Sequence, residues 1–486
     1  MKTGALTSHF RVVPAFAVVL VSACTALPPP QEWWRKQASG SPLVYSPPPS
    51  VLERNIVPLE NLFWAQSLEI ARENSPTVSQ AKARMRRAEA TLREAKSSAL
   101  PRVDARGNVV RFVEGADFRG RDGSNVSGVA TRTRFVTGRS SDIYNGGVDV
   151  SYPIFDGGAT YYARRAAEAS LDASEHDTET ALVALELQVS ESFLEVLLAD
   201  GAIEIAAEAV ALSEEQEKRA RIREEAGEGL KVDRLRFAAL ASEQRLGLNR
   251  ARAERKIRVA VLGELMGVKL SDDVHLDPPS EELGSEGGDH VAIALRERSE
   301  LRALDSRRTE ARRRLSKESA AWWPRADVFG SYGVISLDDL EFGQDEDEFQ
   351  IGGTLAWTLF DGFARDSREA AARAEMDELE AVRRELTLAI EREVRQVEVD
   401  LGLARENVEV SRETLRLAEE VLERVNAQYE AGEAQVIDVN EAQLQLTRSR
   451  LELLRSRVEL LAAQSRLRRV TGKRIAVAVK GEGGSN

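Results

Sequence analysis

The chain has 486 residues, with 67 Lys and Arg against 80 Asp and Glu, a formal net charge of −13, 6% aromatic residues and one cysteine. The acidic balance argues against nucleic acid as a partner, and the single Cys24 excludes a disulfide framework and a Cys-based zinc site. No run of about 18 apolar residues is present to cross a membrane as a helix, a test that leaves β-barrels open because their strands are individually weak signals. A chain rich in Ala, Leu, Glu and Arg predicts long helices rather than several globular domains.

Residues 1–23 read as an export signal: Lys2 and Arg11 supply the positive start, and Val12 to Val21 is an apolar stretch too short to span. Val21-Ser22-Ala23-Cys24 has the form of a bacterial lipobox, in which Cys24 is lipidated and begins the mature chain. The alternative is an ordinary signal peptide that happens to contain a cysteine. Residues 24–58, with Pro28-Pro29-Pro30 and Pro47-Pro48-Pro49, form an extended tether.

The rest of the chain is duplicated. Phe155-Asp156-Gly157 and Phe360-Asp361-Gly362 lie 205 residues apart, as do Gly227 and Gly432, Asp233 and Asp438, and Gly267 and Gly472. Pro101 and Pro324 lie 223 apart, so 18 extra residues sit between Arg102 and Phe155 in the first half. Each half (residues 59–266 and 290–472) predicts a helix (about Leu59 to Ser98, and His290 to Ala321), a β-hairpin (about 102–155 and 325–360), a very long helix (Ala159 to Glu225, and Ala364 to Glu430), a glycine turn and a last helix (Val232 to Leu265, and Ile437 to Val470). Residues 267–289, rich in Gly, Pro, Ser and Asp, read as a linker, and residues 473–486 as a disordered tail.

The long helices carry heptads: Val394, Leu401, Val408, Leu415, Leu422 and Tyr429 in the second half, Leu182, Val189, Val196, Ile203 and Val210 in the first. A companion stripe of small residues such as Ala404, Ser411, Ala199 and Ala206 lets neighbouring helices approach closely. At about 67 residues each would be about 100 Å long, so two shorter helices in line match one long helix. An ordinary cytoplasmic coiled coil leaves the duplicated strands and the export signal without explanation.

The strands alternate. Phe349, Ile351, Leu355, Trp357 and Leu359 face one way, and Gln350, Gly352, Thr354, Ala356 and Thr358 the other. Tyr144, Val148, Val150, Tyr152 and Ile154 repeat the pattern, while Val103 to Val113 follows it least cleanly. Such strands can cross a bilayer when tilted, with Tyr152, Tyr161, Trp322, Trp323 and Trp357 at the interface. A soluble hairpin packed on a helix is the alternative reading. Four strands cannot close a barrel and exposed edges are unsatisfied in lipid, so a membrane role requires several copies; three give 12 strands. The loop from Glu114 to Asp142 is Arg-rich and that from Leu337 to Glu348 is acidic, which suits solvated outer loops.

The duplication, the two Phe-Asp-Gly junctions and the two Gly-turn-Asp hairpin tips resemble the TolC family of outer-membrane efflux and secretion channel proteins, and the lipobox resembles its lipoprotein members. The resemblance spans about residues 60–475. It implies a mainly α protein with membrane β structure. Each chain would be an internally duplicated subunit of a homotrimer whose 12-stranded outer-membrane β-barrel continues into a long periplasmic α-helical barrel. It further implies a passive exit duct of a tripartite efflux or type I secretion system, lipid-anchored in a Gram-negative-type outer membrane. The duct would receive substrate from a periplasmic adaptor and an inner-membrane transporter, with no cofactor.

By resemblance, Asp438 and Glu441 are the acidic ring that constricts the pore, and like charges there attract cations. Tyr429 and Asp233 match a lock between the tips, whereas the Arg the family carries two residues after the second glycine is Ala434 here. The tips themselves, with Gly227, Val232, Gly432 and Ile437, would meet the adaptor. Helix capping is the plainer role for Asp233 and Asp438. No histidine lies in a metal-ligand spacing, and no phosphate loop or nucleophile elbow appears, so an enzyme is not expected. The alternatives to a duct are a periplasmic adaptor and a structural coiled-coil lipoprotein without a pore.

Overall fold

The heptad stripes become two helices of 67 and 68 residues, around which the other elements are arranged in duplicate. The computed structural model describes residues 61–112, 141–278, 288–337 and 347–474. The export signal, Cys24, the tether, most of both strand loops and the tail beyond Arg474 lie outside the described residues. In chain order the elements are β1 (Asn61–Phe63), α1 (Trp64–Asn74), α2 (Pro76–Ser97), β2 (Arg102–Phe112), β3 (Ser141–Phe155), α3 (Ala159–Glu225), α4 (Lys231–Met266), β4 (His275–Asp277), α5 (His290–Glu297), α6 (Ser299–Ser319), β5 (Arg325–Leu337), β6 (Asp347–Ala356), α7 (Ala364–Ala431) and α8 (Val436–Val470).

The first helix of each half differs from the sequence expectation: it is two helices, not one. Ser75 is extended ahead of Pro76, which opens α2 because its missing N–H is no loss at a helix start. The equivalent break, 223 residues on, is Arg298 between α5 and α6. The stretch read as a linker also contributes structure. Its strand β4 pairs in parallel with β1, Leu62 opposite Leu276, and Val274 and Leu276 join Leu68, Phe193, Val196 and Met266 in a buried core halfway along α3.

The long helices hold the layer together. Helix α3 packs on α2 and α4 of its own half and on α6 and α8 of the other, whereas α7 packs chiefly on α5, α6 and α8. The α7 seam is buried as the heptads require: Ile390, Val394, Val397, Leu401 and Ala404 meet Ala294, Ala463, Leu467 and Val470 in a second core, and Val408 one turn on is buried as well. Arg298, only 4% exposed, ties this region together by pairing with Glu300 at 2.9 Å and Glu393 at 2.6 Å. The other face of α7 is open, with Val399, Leu403, Val410, Leu417 and Val421 exposed.

Beyond the upper ends of the helices lies one antiparallel sheet, ordered β2-β3-β5-β6, that runs across both halves. The register opposes Val103 to Val150, Tyr152 to Val328, Tyr332 to Phe349 and Ala326 to Leu355, so the apolar residues and their interleaved glycines share one face. On that face Val103, Phe349, Ile351 and Leu355 are 60–74% exposed. The opposite face carries Arg106, donating to Asp149 at 2.6 Å, and Asp104, Ser331, Gln350 and Thr354. Phe329 departs from the pattern: it lies on the polar face over Gly352, where a Cβ would come within 2.7 Å of its ring.

The strand-to-helix junctions are also duplicated. Asp156 accepts from the Gly158 and Thr160 backbone N–H groups at 3.0 and 2.7 Å, and Asp361 accepts from the Arg365 N–H at 3.1 Å. The Arg365 guanidinium, 4.3 Å from the centre of the Trp322 ring, donates to the carbonyls of Ala321 and Leu359. Aromatic residues thus concentrate where sheet gives way to helix, as the sequence predicts.

Candidate functional site at the hairpin tips

At the far ends from the sheet, α3 turns into α4 and α7 into α8 by the same device. Gly227 and Gly432 adopt φ of 78° and 81°, a left-handed conformation costly for residues with a Cβ. The following amides close back on the helix: Glu228 N–H donates to Arg223 O and Glu433 N–H to Gln428 O, each at 2.9 Å. Apolar side chains are left outward at this end, among them Ile222, Leu230, Val232, Leu235 and Ile437.

The tips pack against each other within one chain. Ala220, Phe237, Val436 and Val439 form a small core with Val425 and Tyr429 at its margin. Tyr429 stands edge-on to Phe237 at 6.0 Å between ring centres, and Arg223 lies over the Tyr429 ring at 5.5 Å. Burial raises the Tyr429 phenol above its ordinary pKa and the Asp233 charge adds to this, while Arg223 opposes both through its own charge and a hydrogen bond. Asp233 thus acts on Tyr429 through its charge, without a hydrogen bond between the two among the described contacts. Arg223, which sequence reading missed, completes the group. Around it Arg219 reaches Glu430 at 3.5 Å, Gln216 reaches Asn426 at 3.4 Å and Arg234 pairs with Glu224 at 2.6 Å.

Asp438 and Glu441 both lie exposed in the first turns of α8. Asp438 caps its own helix: its carboxylate accepts from the Gln435 N–H at 2.8 Å, and the Gln435 side chain accepts from the Asp438 N–H. Asp233 holds the same position in the first turn of α4, but the Leu230 that precedes that helix has no side chain able to cap it. Ala434, where the resemblance would place an arginine, offers no charge; Arg223 is the cation beside the Tyr429 ring.

A duplicated long-helix layer, a shared sheet with an apolar exposed face and paired acidic tips define a channel subunit of the outer-membrane efflux class. The comparisons agree. The family model described as "Outer membrane efflux protein" matches residues 67–268 and again residues 291–473, so the chain belongs to that family and the two matches reproduce the internal duplication. Protein CyaE of Bordetella pertussis is 26% identical over 380 residues, covering 77% of this chain and 76% of CyaE. The outer-membrane channel OprN has the same fold, with a TM-score of 0.71 at 19% identity, covering 85% of this chain and 90% of the other. CusC, whose crystal structures address transmembrane channel formation, gives a TM-score of 0.72 at 15% identity over 84% of this chain and 92% of its own. The exit-duct reading stands on this family membership, and members of the family are channels rather than enzymes.

Proposed function

We propose that this chain is one subunit of a homotrimeric exit duct that passively conducts substrate from a periplasmic adaptor and inner-membrane transporter to the exterior. One observation carries the reading: a four-stranded sheet with a largely exposed apolar face, and with edge strands β2 and β6 that have no outer partner among the described residues, sits on helices about 100 Å long. In lipid such edges must be paired, and three copies pair them by closing a 12-stranded barrel. The open face of α7 has the same need for a neighbour below the membrane.

Cys24, lipidated, anchors the chain through the tether to the outer membrane; multiple acyl chains on one residue give a stable anchor at about 0.8 kcal/mol per buried CH₂. The tips face the adaptor with Val232, Ile437 and their apolar neighbours around Gly227 and Gly432. Tyr429, Asp233 and Arg223 hold the tips together, and three copies of Asp438 and Glu441 ring the constriction. The test is fractionation and tip cross-linking. The protein should float with outer membrane, label with palmitate only while Cys24 is present, and cross-link to an adaptor unless Ile437→Glu is introduced. Recovery with the inner membrane, or adaptor cross-linking unaffected by Ile437→Glu, would contradict the reading.

A further inference from the structure

The two strand-to-helix junctions share an apolar frame and differ in charge. In the first, Tyr152, Ile154 and Phe155 close β3 and are 42–61% exposed. Their equivalents 205 residues on, Trp357, Leu359 and Phe360, are 61–74% exposed. Both frames lie where the exposed apolar face of the sheet gives way to helix.

The helices that follow differ in sign. Helix α3 opens with Tyr161, Arg164 and Arg165, whose equivalents on α7 are Asp366, Glu369 and Ala370. The cations that α7 does carry there are committed elsewhere. Arg365, 5% exposed, is turned inward over Trp322, and Arg368 pairs with Glu318 and Asp361.

The first junction is built around a cationic group. The guanidinium carbons of Arg164 and Arg165 lie 5.9 and 5.6 Å from the centre of the Tyr161 ring, and Arg165 donates to the Tyr161 hydroxyl at 3.4 Å. The charge of Arg313 on α6 acts on the same phenol. One carboxylate on α3 answers the pair: Glu168 lies 2.9 Å from Arg165 and 3.4 Å from Arg164 Nε. That Nε is buried and makes no hydrogen bond among the described residues.

A crevice of about 280 Å³ opens at this group, lined among others by Ala95, Ala99, Tyr152, Ile154, Tyr161 and Arg164. Asp156 also lines it, but its carboxylate is engaged by the Gly158 and Thr160 N–H groups and the Thr160 hydroxyl. The crevice is thus apolar toward the sheet and cationic toward the helix. At the level where aromatic side chains mark a membrane surface, that polarity matches an amphiphile with an anionic head. A guanidinium presents a planar fork of donors that fits phosphate oxygens, and its charge shortens the bonds.

We propose that this crevice binds one anionic glycerophospholipid per chain, drawn from the leaflet on the helix side of the membrane. Its phosphate sits on Arg164 and Arg165, and its glycerol and acyl chains run along Tyr152 and Ile154. The second junction, with Asp366 and Glu369 in place of Tyr161 and Arg164, repels such a head and takes none. This rests on the reading of the sheet's apolar face as lipid-facing.

The test titrates the purified full chain in non-ionic detergent with dioleoyl phosphatidylglycerol and counts retained lipid by native mass spectrometry. One phosphatidylglycerol per chain should stay bound, and dioleoyl phosphatidylcholine, with no net charge, should bind more weakly. Arg164→Gln with Arg165→Gln should weaken phosphatidylglycerol binding about 30-fold, as expected for two cations near a membrane surface. Arg164→Lys with Arg165→Lys should restore most of it, and Arg368→Gln at the second junction should change nothing. Equal affinity for the two lipids, or a double Gln variant that binds like the wild type, would overturn the inference. Displacement of the lipid by equimolar inorganic phosphate would reduce the site to one for free anions and overturn it too. A conducting channel in planar bilayers that retains no phosphatidylglycerol would overturn the inference and leave the duct reading intact. A chain recovered apart from the outer membrane would overturn both.

Discussion

Arg223 lies over the ring of Tyr429, 5.5 Å from its centre, joining the end of the first long helix to the end of the second. The contact crosses the duplication and fixes the two tips relative to each other. A partly buried cation–π contact contributes about 0.5–2 kcal/mol, so Arg223→Ala should loosen the tips without unfolding the helices. Hydrogen exchange at residues 222–234 and 428–440 should accelerate while the helix centres stay protected.

The same residue pair sets a pH dependence. Burial and the Asp233 charge raise the Tyr429 phenol above its unfolded value. A group with a raised folded pKa contributes its full stability below the unfolded pKa, about 10 for tyrosine, and loses it as pH rises through the folded value. Tip protection should therefore be constant across neutral pH and fall only in the alkaline range. Tyr429→Phe should remove part of that alkaline loss, measured by exchange or by tyrosinate absorbance.

Arg298 makes the opposite prediction at acid pH. Burial alone would raise the Glu300 pKa, but the hydrogen bond and charge of Arg298 outweigh it and hold the carboxyl below its ordinary value. A depressed folded pKa contributes stability above the unfolded value and loses it as pH falls. Thermal stability should decline as pH drops below about 4.3, and less steeply in Glu300→Gln. Arg298→Ala leaves Glu300 and Glu393 with Arg469 as their remaining cation and should cost about 1–3 kcal/mol.

The sheet faces are separable by charge. Ile351→Lys places an ammonium on the apolar face and should cost about 2–4 kcal/mol if it lies near the bilayer midplane, seen as reduced assembly in outer membrane. Thr354→Lys, on the polar face three residues on, should leave assembly intact and shift ion selectivity toward anions in planar bilayers.

Much of this architecture is legible in the amino-acid sequence because it is periodic. The heptads of Val394 to Tyr429 and the alternation of Phe349 to Leu359 each report a face that must be buried or must meet lipid, and the offset of 205 shows both twice. What escaped was local. The breaks at Ser75 and Arg298 interrupt helices whose apolar pattern runs on, although Pro76 marked one of them. The pairing of Leu62 with Leu276 joins strands of three residues, too short for an alternation to show. Arg223 has no partner by duplication, since its equivalent is Gln428, so nothing in the repeat marks it. The tip residues were named through a resemblance, and geometry added that Asp438 is also a helix cap.

The capping role of Asp438 decides how its proposed place in the constriction is tested. Asp438→Asn keeps a side-chain oxygen for the Gln435 N–H while removing the charge, and Glu441→Gln removes the second. Single-channel recording of purified protein in planar bilayers is the direct measurement. The wild type should show a small, cation-selective conductance, and the double variant should retain its thermal stability while losing selectivity and conducting more. A wild type without channel activity, or a double variant identical to it in conductance and selectivity, would contradict the assignment of the tips as the constriction of an outer-membrane duct.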